Sequence, residues 1–359
     1  MITRELKLKL NKTQEAKLNE WLWILTGVHN WAIKKIENDA KDKIYHTKMT
    51  FQNILANHSV KLGIPSHTIQ GILSQVHDTW GRCFKKKGGQ PKFKSNRKKL
   101  NSIPFPDPIN NKFLEHNHIK IVGIGRVKFH KQDIPEGKIK CSRIIKRASG
   151  WYLILTIDAN RAKIIRKSSN IVGIDPGFNH LLTLSNGIKI PHPRELEASA
   201  KRLAQSQRGK NKKLTARLHE HVKNQRKNRN HHVSLKLVQE NIEIYFSKDN
   251  IKGIAKKFGK SVASSSHAQL RSMISYKSLC GGTKYVEVAS KNSTRICSNC
   301  EALTGPTGWS GLSVRNWTCM ECGASHDRDV NAAKNTVKIG VGATHEIGVK
   351  PSPKSGGNF

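Results

Sequence analysis

Cys297-Ser-Asn-Cys300 and Cys319-Met-Glu-Cys322, with residues 301–318 between them, are followed after three further residues by His326-Asp-Arg-Asp-Val-Asn-Ala-Ala333. Two CxxC turns at this separation have the spacing of a four-thiolate zinc ribbon. Each turn presents two sulfurs to one side of a tetrahedral metal. Direct disulfides within CxxC pairs would be strained, and nothing marks the chain as secreted. Four thiolates leave no open coordination position, so Zn2+ on Cys297, Cys300, Cys319 and Cys322 would be structural. Beside it lies a turn rich in carboxylates, Asp327 and Asp329, at the head of a helical pattern.

The 359 residues carry 64 Lys and Arg against 25 Asp and Glu, a formal net charge of +39. Such a charge repels itself in the folded state and is offset by a polyanion, which points to nucleic acid. No stretch approaches eighteen consecutive apolar residues, so a membrane is not expected as a partner. Met1-Ile-Thr-Arg-Glu-Leu-Lys7 lacks the apolar core of a signal peptide. A cytoplasmic protein is expected, with Cys83, Cys141 and Cys280 as plain packing residues.

Residues 2–10 alternate as a strand, and Asn11-Lys-Thr-Gln14 has the pattern of a helix cap. Helical periodicity continues to Trp80, then gives way to a basic, Gly- and Pro-broken stretch containing Pro91-Lys-Phe-Lys94. Short strands follow to residue 157. The expected fold class is α+β: an N-terminal β unit over 1–165 with a helical insertion at about 13–98, then an RNase H-like (RuvC) α/β domain over 166–296 plus 326–336. A zinc ribbon is inserted at 297–325, and 337–359, rich in Gly and Pro, is expected to be a disordered tail.

In that second domain Ile171-Val-Gly-Ile-Asp175-Pro-Gly is an apolar strand ending in a carboxylate, and residues 197–240 are helical and basic. Lys210, Lys212, Lys213, Arg226, Lys227 and Arg229 are candidate phosphate contacts. In an RNase H-like sheet the first and fourth strands lie side by side, and a last helix brings in another acid. Those acids hold Mg2+ or Mn2+ for phosphodiester cleavage. Asp175 and Asp329 suit those roles. Taken singly, Asp175-Pro-Gly could be a turn former, and Asp327 or Asp329 a helix cap.

Gly173-Ile-Asp-Pro-Gly177, the helix around Asn224-Gln-Arg-Lys-Asn-Arg-Asn-His-His232, Asn250-Ile-Lys-Gly253, the two CxxC pairs and Asp327-Arg-Asp-Val-Asn-Ala-Ala333 occur in the order of the TnpB family. The chain resembles those RNA-guided nucleases of bacterial insertion sequences, relatives of the type V CRISPR effectors. The resemblance implies an RNA-guided DNA endonuclease with a guide RNA and double-stranded target DNA as partners. It implies nothing about oligomeric state.

Two departures stand out. Aligning on Asn250-Ile-Lys-Gly253 puts Ser247 where the family carries Glu at the end of the fourth strand, and Asn228 stands where Asp is usual. A serine hydroxyl cannot supply a carboxylate's charge to a divalent-metal cage. Either cleavage has been lost and guide-directed DNA binding remains, as in a repressor, or another carboxylate has moved in. Glu287, on the strand expected beside the fourth, is the substitute favoured, because adjacent strands are only ~4.8 Å apart. The expected catalytic set is therefore Asp175, Glu287 and Asp329.

Overall fold

The computed structural model describes residues 1–95, 97–108, 114–115, 117–248, 256, 259, 261–289, 291–307, 311 and 313–346. They fall into two compact units, Met1–Arg161 and Ala162–Phe359.

The first unit begins with β1 (Ile2–Lys9) and α1 (Lys12–Lys41). Asn11 starts α1 with a reciprocal cap: its Oδ1 accepts from Gln14 N at 2.7 Å, and Gln14 Oε1 accepts from Asn11 N at 3.2 Å. Two backbone donors that a helix start leaves open are thereby satisfied. Helices α2 (Lys48–Asn53), α3 (Ser59–Leu62) and α4 (Ser66–Phe84) follow. The chain then returns to sheet as β2 (Ser102–Phe105), β3 (Leu114–Glu115), β4 (His118–Ile121), β5 (Gly125–Phe129), β6 (Lys138–Arg147) and β7 (Gly150–Asp158). The seven strands form one sheet in the order β2-β6-β7-β1-β5-β4-β3. α1 buries Leu18, Trp21, Leu22 and Leu25, a three-to-four-residue period, in the core that also takes Leu6, Leu153 and Leu155 from the sheet.

The second unit contains β8 (Asn170–Pro176), β9 (His180–Leu184), β10 (Lys189–Pro191), α5 (Glu195–Ala198), α6 (Ala200–Arg208), α7 (Lys212–Glu240) and β11 (Asn241–Lys248). After them come α8 (His267–Gly281), β12 (Lys284–Ala289), the ribbon strands β13 (Asn316–Thr318) and β14 (Ser325–Asp327), and α9 (Arg328–Glu346). Its main sheet runs β10-β9-β8-β11-β12, with β8, β11 and β12 parallel and β9 antiparallel to β8 and β10. The first and fourth strands of this unit are thus neighbours at the centre of the sheet.

The expected tail is corrected in its first part. Residues 337–346 continue α9, while 347–359 lie outside the described residues. One of the glycines that suggested disorder, Gly340, is a packing device here. A Cβ on Gly340 would strike the Tyr245 ring, and one on Gly173 would strike the Ala333 carbonyl, so bare backbone lets helix and sheet approach closely. The Asn250–Gly253 segment and Asp249 also lie outside the described residues.

Candidate functional site

The registers of the five-stranded sheet decide which residues share a face. Phe246 on β11 pairs with Ile174 on β8 and with Glu287 on β12. Ile174 in turn pairs with Leu184. Residues directly opposite one another project to the same side, and neighbours along a strand project to opposite sides. Leu184, Ile174, Phe246 and Glu287 therefore make one row. It faces α8, whose Leu270 and Ile274 share a buried core with Ile174 and Phe246.

The next row faces the other way. Asp175 pairs with Thr183, Thr183 pairs with Lys189, and Ser247 pairs with Val288. Asp175 and Ser247 each follow the paired residues Ile174 and Phe246, so the row reads Lys189, Thr183, Asp175, Ser247, Val288. This is the α9 face: Gly173 meets α9 at Ala333 and Val337, and Tyr245 meets it at Gly340.

α9 brings its first turn to this row through Asp327. Asp327 Oδ2 accepts from Lys189 Nζ at 2.6 Å, and its Oδ1 accepts from the amides of Asp329 (3.1 Å) and Val330 (3.0 Å). Asp327 is thus the helix cap. Burial alone would raise its pKa, but the Lys189 hydrogen bond and the two amides outweigh that and hold it below the ordinary carboxylate value. Asp329 lies one turn before Ala333, on the helix side that meets the sheet. Its carboxylate accepts from Arg315 Nη1 at 3.3 and 3.5 Å. Asp175 and Asp329 therefore flank the same helix–sheet contact.

Glu287 does not join them. Its carboxylate lies on the opposite face, 3.4 Å from Arg271 Nε and 3.6 Å from Lys248 Nζ, and it accepts from the Tyr285 hydroxyl at 3.3 Å. Neighbouring strands are indeed close, but strand proximity does not bring side chains together when they alternate to opposite faces. The place beside Asp175 is held by Ser247, whose hydroxyl is buried and has no hydrogen-bond partner among the described residues. A small cavity of about 80 Å3, lined in part by Pro176, Ser247, His267 and Arg271, lies at the carboxyl ends of these strands.

His267 closes the far side of that cavity. Its Nε2 donates to the Leu181 carbonyl at 3.0 Å, and its ring packs against Phe178 at 5.9 Å. Burial lowers its pKa to about 4, so the ring is neutral near pH 7.

The four ribbon thiols come together, with all four Sγ atoms within 4.8 Å of one another. Both knuckles have the same backbone form. Cys297 N donates to Ala302 O and Glu301 N to Cys297 O, as Cys319 N donates to Ala324 O and Gly323 N to Cys319 O, each at 2.9 Å. Glu301 (φ 67) and Gly323 (φ 70) take the left-handed conformation that each knuckle needs. The Thr304 hydroxyl lies 3.2 Å from Cys319 Sγ, and His326 Nε2 lies 3.0 Å from Cys297 Sγ. Soft thiolates in this arrangement suit Zn2+, and the cluster could hold one ion.

Two residues to which the sequence assigned no role tie ribbon and helix together. Asn331 accepts from Ser298 N at 2.8 Å and donates to Ile296 O at 2.7 Å. Asn335 donates to Ile296 O at 2.6 Å and to Ser293 O at 2.8 Å. With the Lys189–Asp327 pair, these bonds make the ribbon, α9 and the Asp175 row one connected assembly. Buried Asn on a helix face that is otherwise Ala and Val was the available signal.

Of the basic candidates, Lys210, Lys212, Lys213 and Lys227 are exposed, the last three along α7. Arg226 and Arg229 are not free in the same way. Arg229 Nη1 binds both Glu195 oxygens at 2.8 and 3.0 Å, and its Nη2 donates to Ser265 O and Ser266 Oγ at 3.0 Å. Arg226 Nη1 donates to Ala263 O at 3.0 Å. Their charges are spent on a buried Glu195, which a basic run in sequence does not reveal.

Two family descriptions match: "Probable transposase" (OrfB_IS605) over residues 165–257, and "Cas12f1-like, TNB domain" over residues 267–336. A relative from Streptomyces pristinaespiralis, named "Putative RNA-guided DNA endonuclease", is 27% identical over 320 residues, covering 81% of this chain and 76% of its own. One from Escherichia coli (strain K12), "Putative RNA-guided DNA endonuclease InsQ", is 22% identical over 306 residues, covering 77% and 75%. A solved chain from "Cryo-EM structure of the Cas12f1-sgRNA-target DNA complex" aligns with a TM-score of 0.57 at 15% identity, over 89% of this chain and 81% of that one. The protein therefore has a mixed α/β fold resembling Cas12f1. The two family matches and these relatives support a TnpB-family protein.

Proposed function

We propose that the protein is an RNA-guided DNA endonuclease of a transposable element, which cleaves double-stranded target DNA in a RuvC-like site. One observation carries this: Asp175 ends the central strand on the face packed by α9, whose first turn holds Asp329 and is tied to the Asp175 row through Lys189 and Asp327. The relatives' names support the same activity, as does the strand order, which is that of an RNase H-like sheet. Hard carboxylate oxygens fit Mg2+ or Mn2+, and Asp175 and Asp329 would hold it. When bound, the metal would supply an activated water and charge stabilisation for phosphodiester hydrolysis. Residues 166–296 plus 326–336 form the nuclease domain in this proposal, and 297–325 the zinc ribbon that positions Asp329. The β unit and its helices hold the guide–target duplex and read a short motif beside the target. Lys210, Lys212, Lys213 and Lys227 contact phosphate. No described helix is long and apolar enough to cross a membrane, and action in the bacterial cytoplasm at the nucleoid is part of the proposal.

A second reading, guide-directed binding without cutting, is favoured by the row itself. Ser247 stands beside Asp175, Glu287 faces away, and Arg315 already balances Asp329. The next acid along the chain is Asp249. Purified RNA–protein complex, incubated with duplex target and Mg2+, separates the two. Strand cleavage supports the endonuclease, while a stable guide-dependent complex with uncut DNA leaves the binding reading. A complex that ignores the guide sequence overturns both.

A further inference from the structure

Trp23 and Trp31 stand two turns apart on α1 and are 60% and 37% exposed, although Trp21 on the same helix is fully buried in the core. They line an open groove of about 530 Å3 together with Leu55, His58 and Lys94. Asn30 clamps a basic segment along its edge. Its Nδ2 donates to Lys94 O and its Oδ1 accepts from Lys94 N, both at 2.8 Å. Further on, Leu100 N donates to the buried Thr26 hydroxyl at 3.1 Å, so the stretch after Lys94 is tied again to α1. The Asn30 clamp fixes Lys94 in the groove with the two tryptophans, and Phe93, its neighbour in the chain, is 52% exposed.

Large rings left in water next to a held cation call for a partner with flat π-faces and negative charge. A second copy of this chain fits poorly, because at +39 the two would repel. Unpaired nucleotides fit on both counts, since bases stack on aromatic rings whatever their sequence and phosphates meet lysine. We propose that this groove is a stacking site for unpaired nucleobases, with Trp23 and Trp31 as the stacking faces and Lys94 as the phosphate contact. The site rests on the reading that the chain binds nucleic acid, and it would hold single-stranded guide RNA or the displaced DNA strand.

The test uses the full-length protein, its intrinsic tryptophan fluorescence, and three probes: a short uridine oligomer, a thymidine oligomer and a duplex of equal length. Fluorescence polarisation of labelled probes reports binding separately. The unpaired oligomers should quench tryptophan and the duplex should not. Trp23→Leu with Trp31→Leu should remove the quenching and weaken unpaired oligomers by about tenfold or more, with duplex affinity and Tm unchanged. Phe at both positions should restore affinity. Stronger quenching by uridine assigns the groove to the guide, and by thymidine to the displaced strand. Binding with no quenching, equal quenching by duplex, or a double variant that only loses self-association overturns the groove and leaves the proposed function standing. If no probe binds at all, both fall.

Discussion

Glu287 faces the opposite side of the central sheet from Asp175, because both are read from Phe246: Glu287 lies directly opposite it, whereas Asp175 follows its other partner, Ile174. The side chain next to Asp175 is Ser247. Whatever chemistry the site performs depends on that row and not on mere strand adjacency.

Glu287→Gln should leave cleavage and guide-dependent binding within about twofold of the parent, since it disturbs only a partly exposed ion pair with Arg271 and Lys248. Asp175→Ala should abolish any cleavage. Ser247→Glu places a carboxylate beside Asp175, next to the small cavity, and should raise cleavage by at least about a hundredfold in Mg2+. Plasmid cleavage with the four proteins checks this, and a Glu287→Gln variant that binds but no longer cuts would show the face assignment to be wrong.

Arg229 and Lys212 should behave as opposites. Arg229→Ala leaves Glu195 buried without its main partner and should cost about 3–5 kcal/mol of stability. Lys212→Ala with Lys213→Ala should leave urea unfolding unchanged. It should instead flatten the dependence of log affinity on log salt by roughly 0.7–0.9 per lost phosphate contact. Equal salt slopes for the double lysine variant and the parent would remove α7 from the interface.

One Zn2+ per chain is expected by elemental analysis, and Cys319→Ser should lose it. Asn331→Ala removes the bonds from α9 to Ser298 N and Ile296 O while leaving all four thiols in place. It should keep the metal yet lower stability by about 1–3 kcal/mol, the cost of stranding buried polar groups. Metal content and unfolding measured together separate ligand loss from loss of the clamp.

Acid should weaken the second unit through His267. Its folded pKa, about 4, lies below the usual 6.5 because burial disfavours the charged ring. The unfolded chain therefore binds the extra proton first. His267's contribution is complete above about pH 6.5 and is lost as pH falls toward 4, by up to about 3 kcal/mol. Unfolding midpoints at pH 7.5 and 5 should differ less in His267→Gln, which cannot titrate. Parallel curves for the two proteins would remove His267 as the cause.

The four-thiol ribbon, the acid-capped last helix and the strand carrying Asp175 were written in the sequence, because each depends on residues a few positions apart. CxxC spacing sets a knuckle, Asp327 caps the helix it begins, and an apolar run ending in Asp makes a buried strand. Tertiary structure decided what depends on register and burial. Only the pairing of Phe246 with both Ile174 and Glu287 shows that Glu287 points away from Asp175, since a one-residue offset reverses a side chain's face. Only the buried Glu195 shows that Arg229 is a structural partner and not a phosphate contact. The Gly-rich stretch after residue 336 looked unfoldable by composition, yet Gly340 within it is what allows α9 to lie close against Tyr245, a benefit that exists only once the sheet is there to meet it.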